Sequence, residues 1–306
     1  ASEVLNEAEA VVALEIDGDA RAYPVQVMIW HEIVNDTVGG VPVSVTYCPL
    51  CNSAVSYVRE IRGVETTFGT SGRLFASALV MYDRATETLW THFDGRAVVG
   101  LLAGEELEVV PSPLMSWGDF REAYPTGQVL DPAATGFSRQ YGRNPYFGYD
   151  DVDTSPFLFT GPLDDRSAAK QRVVGVTIDD SSAAFTLESI SGDGVAANHT
   201  AVGESDVVIF WKAGQSTALE EERVDAGRDV GSVGVFRPIA DGQPLTFSTV
   251  DGFIVDQETG STWNVAGEAL DGDLAGSRLE RVPHLDTFWF AWATYRPGTV
   301  LVETIE

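Results

Sequence analysis

The chain has 306 residues, 44% of them hydrophobic, and is therefore long enough to bury one sizeable core or two smaller ones. Its glycine and proline contents exclude a disordered chain, and no apolar run is long enough to predict a membrane-spanning segment. Aspartate and glutamate number 46 against 19 lysines and arginines, giving a net charge of -27. Such a surface repels nucleic acid and anionic lipid, so both are excluded as expected partners.

The basic residues are unusual in that only two of them are lysines, Lys170 and Lys212. The long apolar stem of lysine hydrates poorly in strong brine, whereas carboxylates hold water and cations. Scarce lysine combined with many carboxylates therefore predicts a high-salt environment. An acidic protein from ordinary salt is the alternative.

The predicted elements are mostly short strands separated by Gly, Asp and Asn turns. Short helices are expected where aromatic, amphipathic segments are stopped by Pro and Gly. In chain order, we predict a helix at 24–30, strands at 43–47 and 54–59, a helix at 116–123, strands at 207–211 and 252–256, and a helix at 287–294. The fold class is therefore mainly β with a few short helices.

The chain also resembles itself. The segment from Asp83 to Trp90 matches that from Asp256 to Trp263, and further matches follow in the same order over most of both halves. The spacing is too long for a solenoid repeat. We therefore predict two tandem homologous β-rich units from an internal duplication. The units are residues 1–130 and 172–306, joined by an aromatic, Gly/Pro-rich segment at 131–171 that packs across both.

A C-x-x-C motif lies between two of the predicted strands, at Cys48 and Cys51. At the tip of a β-hairpin this spacing brings two thiolates to one side of a tight turn, as a soft metal requires. A thioredoxin-like motif needs a helix after the first cysteine, but the residues after Cys51 alternate like a strand. A metal knuckle is therefore the favoured interpretation, with a single disulfide or free, redox-active thiols as the alternatives.

Two cysteines make half a metal site. His31 is the expected third ligand because it lies one short connection before the first cysteine strand, and His92 or Met81, on a predicted hairpin, are further candidates. These ligand types suit Cu(I), and Cys with His also suits Zn(II). In the second half, Trp211 falls opposite Cys48, Gly214 falls opposite Cys51, and no histidine matches His31. The predicted site therefore belongs to the first unit alone.

Residues 30–59, above all the blocks at 31–36 and 47–51, resemble a bacterial and archaeal family known as domain of unknown function 3179. The segments at 81–84, 89–90, 135–141 and 144–146 resemble it too, so the resemblance covers nearly the whole chain. The family carries no assigned activity. Its members typically look exported or membrane-anchored and are common in haloarchaea. The resemblance thus implies an extracytoplasmic protein, secreted or cell-surface anchored, in high salt.

Three functions follow as expectations. The first is an extracytoplasmic copper- or zinc-binding protein, serving copper handling or as a redox accessory. The second is a thiol–disulfide oxidoreductase that uses Cys48 and Cys51, and the third is a structural cell-surface or filament protein in which the site staples the fold. A protein partner or self-assembly at the cell surface fits the first and third. Asn35 and Asn198 match the glycosylation pattern, although we expect both asparagines to serve a turn.

Overall fold

The computed structural model describes residues 5–305, which form mainly β-structure with four short helices. The mainly-β prediction is therefore confirmed. The elements of the first half are β1 (Ala10–Ile16), β2 (Asp19–Pro24), α1 (Val25–His31), β3 (Ile33–Val38), β4 (Val41–Cys48), β5 (Ser53–Val58), β6 (Glu60–Ile61), β7 (Val64–Glu65), β8 (Phe68–Phe75), β9 (Ala78–Asp83), β10 (Leu89–Thr91), β11 (Ala97–Val99), β12 (Val109–Val110), β13 (Leu114–Ser116), α2 (Trp117–Ala123) and β14 (Gln128–Val129).

The connecting segment contains one turn of 3₁₀ helix, Pro132–Thr135. The second half then follows as β15 (Arg172–Ile178), β16 (Ser181–Thr186), α3 (Leu187–Ile190), β17 (Val195–Val202), β18 (Ser205–Lys212), β19 (Ser232–Phe236), β20 (Ile239–Ala240), β21 (Gln243–Pro244), β22 (Phe247–Val250), β23 (Phe253–Asp256), β24 (Thr262–Trp263), β25 (His284–Phe288), α4 (Trp289–Tyr295) and β26 (Val300–Val302).

The order of elements recurs between the two halves. One four-stranded sheet has the order β13-β1-β2-β14, and its counterpart has the order β25-β15-β16-β26. In each sheet the last strand pairs in parallel with its neighbour, whereas the other pairs are antiparallel. The internal duplication and its domain boundaries stay predictions from the sequence, but the recurring order supplies equivalent positions that can be compared.

One tight turn is built in the same way in both halves. The Asp83 carboxylate accepts hydrogen bonds from the backbone N–H and hydroxyl of Thr86 and from the indole N–H of Trp90, at 2.7–3.0 Å. Asp256 accepts the same set from Thr259 and Trp263. This turn fixes the start of β10, and with it the position of the residues that follow.

The β3–β4 and β17–β18 hairpins align with each other one residue away from the alignment that the sequence comparison gave. Asn35 Oδ1 accepts the backbone N–H of Phe68 at 2.7 Å, and His199 Nε2 accepts that of Phe247 at 2.8 Å, so His199 corresponds to Asn35. The matching hairpin registers, Val38 with Val41 and Val202 with Ser205, then place Lys212, not Trp211, at the position of Cys48. The placement of Trp211 opposite Cys48 was wrong because two short strands can be aligned by sequence in more than one register. Only the observed strand pairing determines which register is right.

The two asparagines of the glycosylation pattern lie in strands β3 and β17, so the expectation of a turn was wrong. Both side-chain amides are engaged internally. Asn35 Nδ2 donates to the carbonyl of Phe68 at 2.9 Å, and Asn198 Nδ2 donates to that of Ile190 at 2.7 Å. Each amide therefore ties its strand to a neighbouring element.

The largest buried cluster unites both halves, since it contains the cysteine hairpin, Trp90 and most of α4. The connecting segment packs across this cluster, as predicted. The Tyr149 hydroxyl donates to the carbonyl of Leu50 at 2.9 Å, its backbone N–H donates to Leu219 at 3.0 Å, and the Phe159 ring lies 5.3 Å from that of Phe290. The cysteine turn is thus enclosed by all three parts of the chain.

A buried carboxyl group near the chain start gives the stability a pH dependence. Glu9 is 3% exposed, Gln26 donates to its Oε2 at 3.3 Å, and its Oε1 has no partner among the described residues. Burial, assisted by the nearby Asp225, raises the pKa of Glu9 to about 8. The folded protein therefore holds this proton more tightly than the unfolded chain.

We expect Glu9 to lower the free energy of unfolding as pH rises from about 4.5 to about 8, by about 1.4 kcal/mol for each pKa unit of difference. Its favourable contribution is complete below the unfolded pKa and lost above the folded one. The Glu9→Gln variant should therefore be more stable than the parent at pH 8, with the advantage shrinking toward pH 5. Chemical unfolding of both proteins across this range, at constant salt, measures the difference. A difference in the free energy of unfolding between variant and parent that stays the same across this pH range would contradict the assignment to Glu9.

Candidate metal centre

The two cysteines are held by the tight hairpin between β4 and β5. Cys48 is the last residue of β4 and pairs with Ser53, the first residue of β5. Asn52 closes the intervening turn with a left-handed backbone, φ +50°, and donates its N–H to the carbonyl of Pro49 at 3.3 Å. A hairpin, not a helix N-terminus, therefore carries the C-x-x-C motif, as the sequence predicted.

The second half of the chain fixes this turn from the other side. The carbonyl of Cys51 accepts the backbone N–H of Phe288 at 3.1 Å and the hydroxyl of Thr287 at 2.7 Å. Asn52 Nδ2 donates to Asp286 at 3.3 Å, and the Tyr47 hydroxyl donates to Asn52 Oδ1 at 3.1 Å. The loop that carries Cys51 is thus held by side chains and backbone, which fixes its geometry before any ligand arrives.

His92 completes a three-residue cluster. It follows strand β10, where its backbone N–H donates to Leu79 at 3.0 Å and its carbonyl accepts the Tyr57 hydroxyl at 2.7 Å. One ligand atom from each of Cys48, Cys51 and His92 lies within 4.8 Å of the others. Two sulfurs and an imidazole nitrogen at this spacing form a set that a soft or borderline metal ion could occupy.

All three side chains are fully enclosed, at 1%, 0% and 0% exposure for Cys48, Cys51 and His92. Both cysteines are free. The Cys51 sulfur lies 3.0 Å from the hydroxyl of Ser53, and the Cys48 sulfur lies 3.9 Å from the carbonyl of Ser77. These contacts leave each sulfur with lone pairs for a further ligand.

Neither ring nitrogen of His92 has a hydrogen-bond partner among the described residues. A buried polar atom without a partner costs about 1–3 kcal/mol, so such atoms are rare in folded proteins. A metal ion bound to one nitrogen would remove that cost at one of the two atoms. This unpartnered imidazole is the strongest single sign that the cluster is a binding site.

The protonation states also suit a metal. Burial lowers the pKa of His92 to about 3, so the ring is neutral at physiological pH and carries a free lone pair. Burial by itself would raise the pKa of Cys48, but hydrogen bonds from the Cys51 thiol and from the backbone N–H groups of Leu79 and Cys51 outweigh it and lower that pKa. Burial and the proton shared with Cys48 raise the pKa of Cys51 well above its usual value. Cys48 is therefore the more readily ionised of the two cysteines.

The surroundings of the cluster are largely aromatic. Burial raises the pKa of Tyr146 to about 12, with smaller contributions from Glu32 and Cys48. It also raises the pKa of Tyr149 and Tyr295, and both cysteines contribute to these two shifts. The phenol groups of these three tyrosines therefore stay neutral at physiological pH.

His31 lies elsewhere, at the end of α1. Its Nε2 is 2.7 Å from the Tyr141 hydroxyl, and its ring centroid is 5.3 Å from that of Phe137. Burial, followed by the charge of Arg139, lowers its pKa. The structure therefore brings His31 to the connecting segment and not into the three-residue cluster.

Met81 is fully buried in the same hydrophobic cluster as the cysteines. It lies on β9 and pairs with Trp90 of β10. Trp90 comes two residues before His92 in the sequence. Of the five candidate ligands from the sequence, the structure thus unites Cys48, Cys51 and His92, places Met81 on the adjoining strand, and separates His31.

A family model described as "Protein of unknown function (DUF3179)" matches residues 1–299. No curated protein and no solved structure matches the chain. Within the described residues, no helix is long and apolar enough to cross a membrane.

Proposed function

This chain belongs to the family of proteins of unknown function DUF3179, and we propose that it binds one soft metal ion through Cys48, Cys51 and His92. The observation that carries the proposal is the enclosed cluster of two unbridged cysteines and an imidazole whose nitrogens have no hydrogen-bond partner among residues 5–305. The ligands converge from two different hairpins, so the ion would link β4–β5 to β10. We propose copper handling, or a redox accessory role, as the use of this site.

The second half of the chain supports a role beyond packing. By the Asp83–Trp90 and Asp256–Trp263 equivalence, Val265 occupies the position of His92 and Ile254 that of Met81. Val265 and Ile254 are both buried, at 2% exposure each. Apolar residues therefore fill these two positions in the second half, which favours a role for His92 beyond packing.

Cu(I) ranks ahead of Zn(II) because of the number of ligands. A structural zinc site takes four protein ligands, whereas the cluster contains three His, Cys, Asp or Glu residues among those described. If Met81 supplies a fourth ligand, its thioether is a soft donor that suits Cu(I). Charge neutrality favours Zn(II), since two thiolates would balance its charge fully. We give more weight to coordination number, because a missing ligand cannot be replaced in an enclosed site.

A thiol–disulfide oxidoreductase is less well supported. Such an enzyme needs a thiolate that substrates can reach, whereas Cys48 and Cys51 are enclosed and their motif lies on a hairpin. A structural surface or filament protein stays a prediction from the sequence. An extracytoplasmic location is also part of the proposal, because the family resemblance implies an exported or membrane-anchored protein. The scarce lysines and the acidic composition support a high-salt environment. Recovery of the native protein in the cytosolic fraction would contradict this location.

We expect about one copper or zinc ion per natively purified chain, and none in the Cys48→Ser variant, because a neutral hydroxyl is a poor ligand for a soft metal. Elemental mass spectrometry with a free-thiol count in denaturant measures both quantities. Copper in the parent protein would identify the preferred metal, and zinc would reverse the ranking. A parent protein with no metal and no free thiols would have a disulfide instead, and the metal proposal would fail.

A further inference from the structure

A cavity of about 280 Å³ lies beside the metal centre and is separate from it. Its walls include Ala54 and Val55 of the cysteine hairpin, Phe93, which follows His92, and Trp292 of α4. We propose that this cavity binds a small zwitterion with an apolar substituent, that is, a free apolar amino acid. The proposal rests on the cavity alone and does not require the metal.

The cavity has a formed apolar floor. A Cβ atom at Gly175 would lie 2.2 Å from the Trp292 ring, so glycine at this position lets the indole lie flat across strand β15. The Trp292 indole N–H donates to the Thr299 hydroxyl at 2.9 Å, which fixes the ring orientation. Leu285 and Val110 add further apolar surface. Small-molecule sites commonly combine such walls with a few convergent polar groups.

Two opposite charges line the same cavity without pairing. Arg296 Nε donates to Thr177 at 3.3 Å and Nη1 donates to the carbonyl of Tyr295 at 3.0 Å, which leaves Nη2 without a partner among residues 5–305. Asp94 accepts from the Thr91 hydroxyl and from the backbone N–H of Arg96. Neither Asp94 nor Arg296 forms an ion pair with any described residue. A guanidinium and a carboxylate are therefore both available to a ligand.

These charges select the class of ligand. A simple carboxylate would meet the repulsion of Asp94, and a simple amine that of Arg296. An amino acid places its carboxylate on Arg296 and its ammonium on Asp94, and its side chain on the apolar walls. Since a zwitterion has no net charge, the net charge of -27 does not oppose its approach.

The equivalent place in the first half provides a comparison. A cavity of about 120 Å³ there is lined by Ala13, Glu15, Tyr124 and Arg281. Ala13 replaces Gly175, and Glu15, which replaces Thr177, lies 3.6 Å from Arg278. The acidic group of the smaller cavity is thus already paired with an arginine. The larger cavity has more space for a ligand, and its two charged side chains, Arg296 and Asp94, are not in ion pairs among the described residues.

Titration calorimetry on the full chain, with leucine as the probe, tests the proposal. We expect leucine to bind with a dissociation constant of about 1 mM or lower, and 4-methylpentanoate and 3-methylbutylamine to bind at least about tenfold more weakly. The Arg296→Gln variant should lose about tenfold in leucine affinity, because it removes the charge that meets the carboxylate. Val109→Trp, at an exposed residue of the wall, should block the cavity without removing either charge.

Arg281→Gln is the matched control, since Arg281 lines the smaller cavity and not the larger one. It should leave leucine binding unchanged. Two results would overturn the proposal. One is the absence of leucine binding to the folded parent at a leucine concentration of about ten times the expected dissociation constant. The other is equal affinity for leucine and for either analogue that lacks one charge.

Discussion

Replacing His92 with valine should abolish stoichiometric metal binding and, at the same time, stabilise the metal-free protein. The ring nitrogens of His92 are buried without partners in the part of the chain that the structure describes. Removing them should raise the free energy of unfolding of the metal-free protein by about 1–3 kcal/mol. Valine is the replacement of choice because Val265 fills the equivalent position in the second half. The two effects have opposite signs, which separates loss of a ligand from loss of the fold.

The expected loss of metal affinity is large. Removing an outer partner of a ligand already costs about 10–100-fold, so removing the ligand itself should cost more than about 100-fold. A metal ion whose free concentration is about 1,000 times its dissociation constant stabilises the protein that binds it by about 4 kcal/mol. This stabilisation should vanish in His92→Val. Unfolding with and without Cu(I) or Zn(II), under reducing conditions, measures both quantities in one series.

His31→Ala is the matched control. Its imidazole contacts Tyr141 and lies outside the cluster, so metal content and metal-dependent stabilisation should match those of the parent. Loss of metal in His31→Ala with retention in His92→Val would reverse the assignment and restore the ligand expected from the sequence. A strong loss of stability in metal-free His92→Val would instead show that the ring has a structural partner.

The sequence was sufficient for the local part of this site. Strand alternation on both sides of Cys48 and Cys51 predicted a hairpin, and the structure has one. The third ligand depends on contacts between distant elements. His31 is near in sequence, but α1 ends with its ring against the connecting segment, whereas strands β9 and β10 bring His92 to the cysteines. Sequence proximity could not reveal which of these contacts forms.

One signal for His92 was present in the sequence. The match from Asp83 to Trp90 against Asp256 to Trp263, continued by two residues, sets His92 opposite an apolar valine. Burying a polar residue where the other half has an apolar one is costly, which indicates that the polar residue is there for function and not for folding. The one-residue error at Cys48 came from the opposite situation, since no motif fixed the register of the hairpin strands and only their pairing determined it.

Removing the carboxylate of Asp286 should lower the free energy of unfolding by about 3–5 kcal/mol, because it leaves the Arg172 guanidinium buried without a counter-charge. Arg172 Nη2 donates to Asp286 Oδ2 at 2.8 Å, and the two side chains are 3% and 6% exposed. Burial raises the pKa of Asp286, and Arg172 opposes this shift. The pair therefore depends on both partners, and Asp286→Leu should show the full penalty in chemical unfolding at neutral pH.

The double variant Arg172→Met/Asp286→Leu distinguishes the pair from its individual charges. Replacing a buried ion pair by apolar residues of similar volume is often neutral or stabilising, so the double variant should recover most of the stability that Asp286→Leu loses. Equal losses in the single and double variants would show that packing at Asp286, not the unpaired guanidinium, is responsible. Asp286 also accepts from Asn52 in the cysteine turn, so the double variant removes that hydrogen bond while both cysteines remain. A weaker metal affinity at recovered stability would then show that the second half of the chain positions the metal ligands of the first.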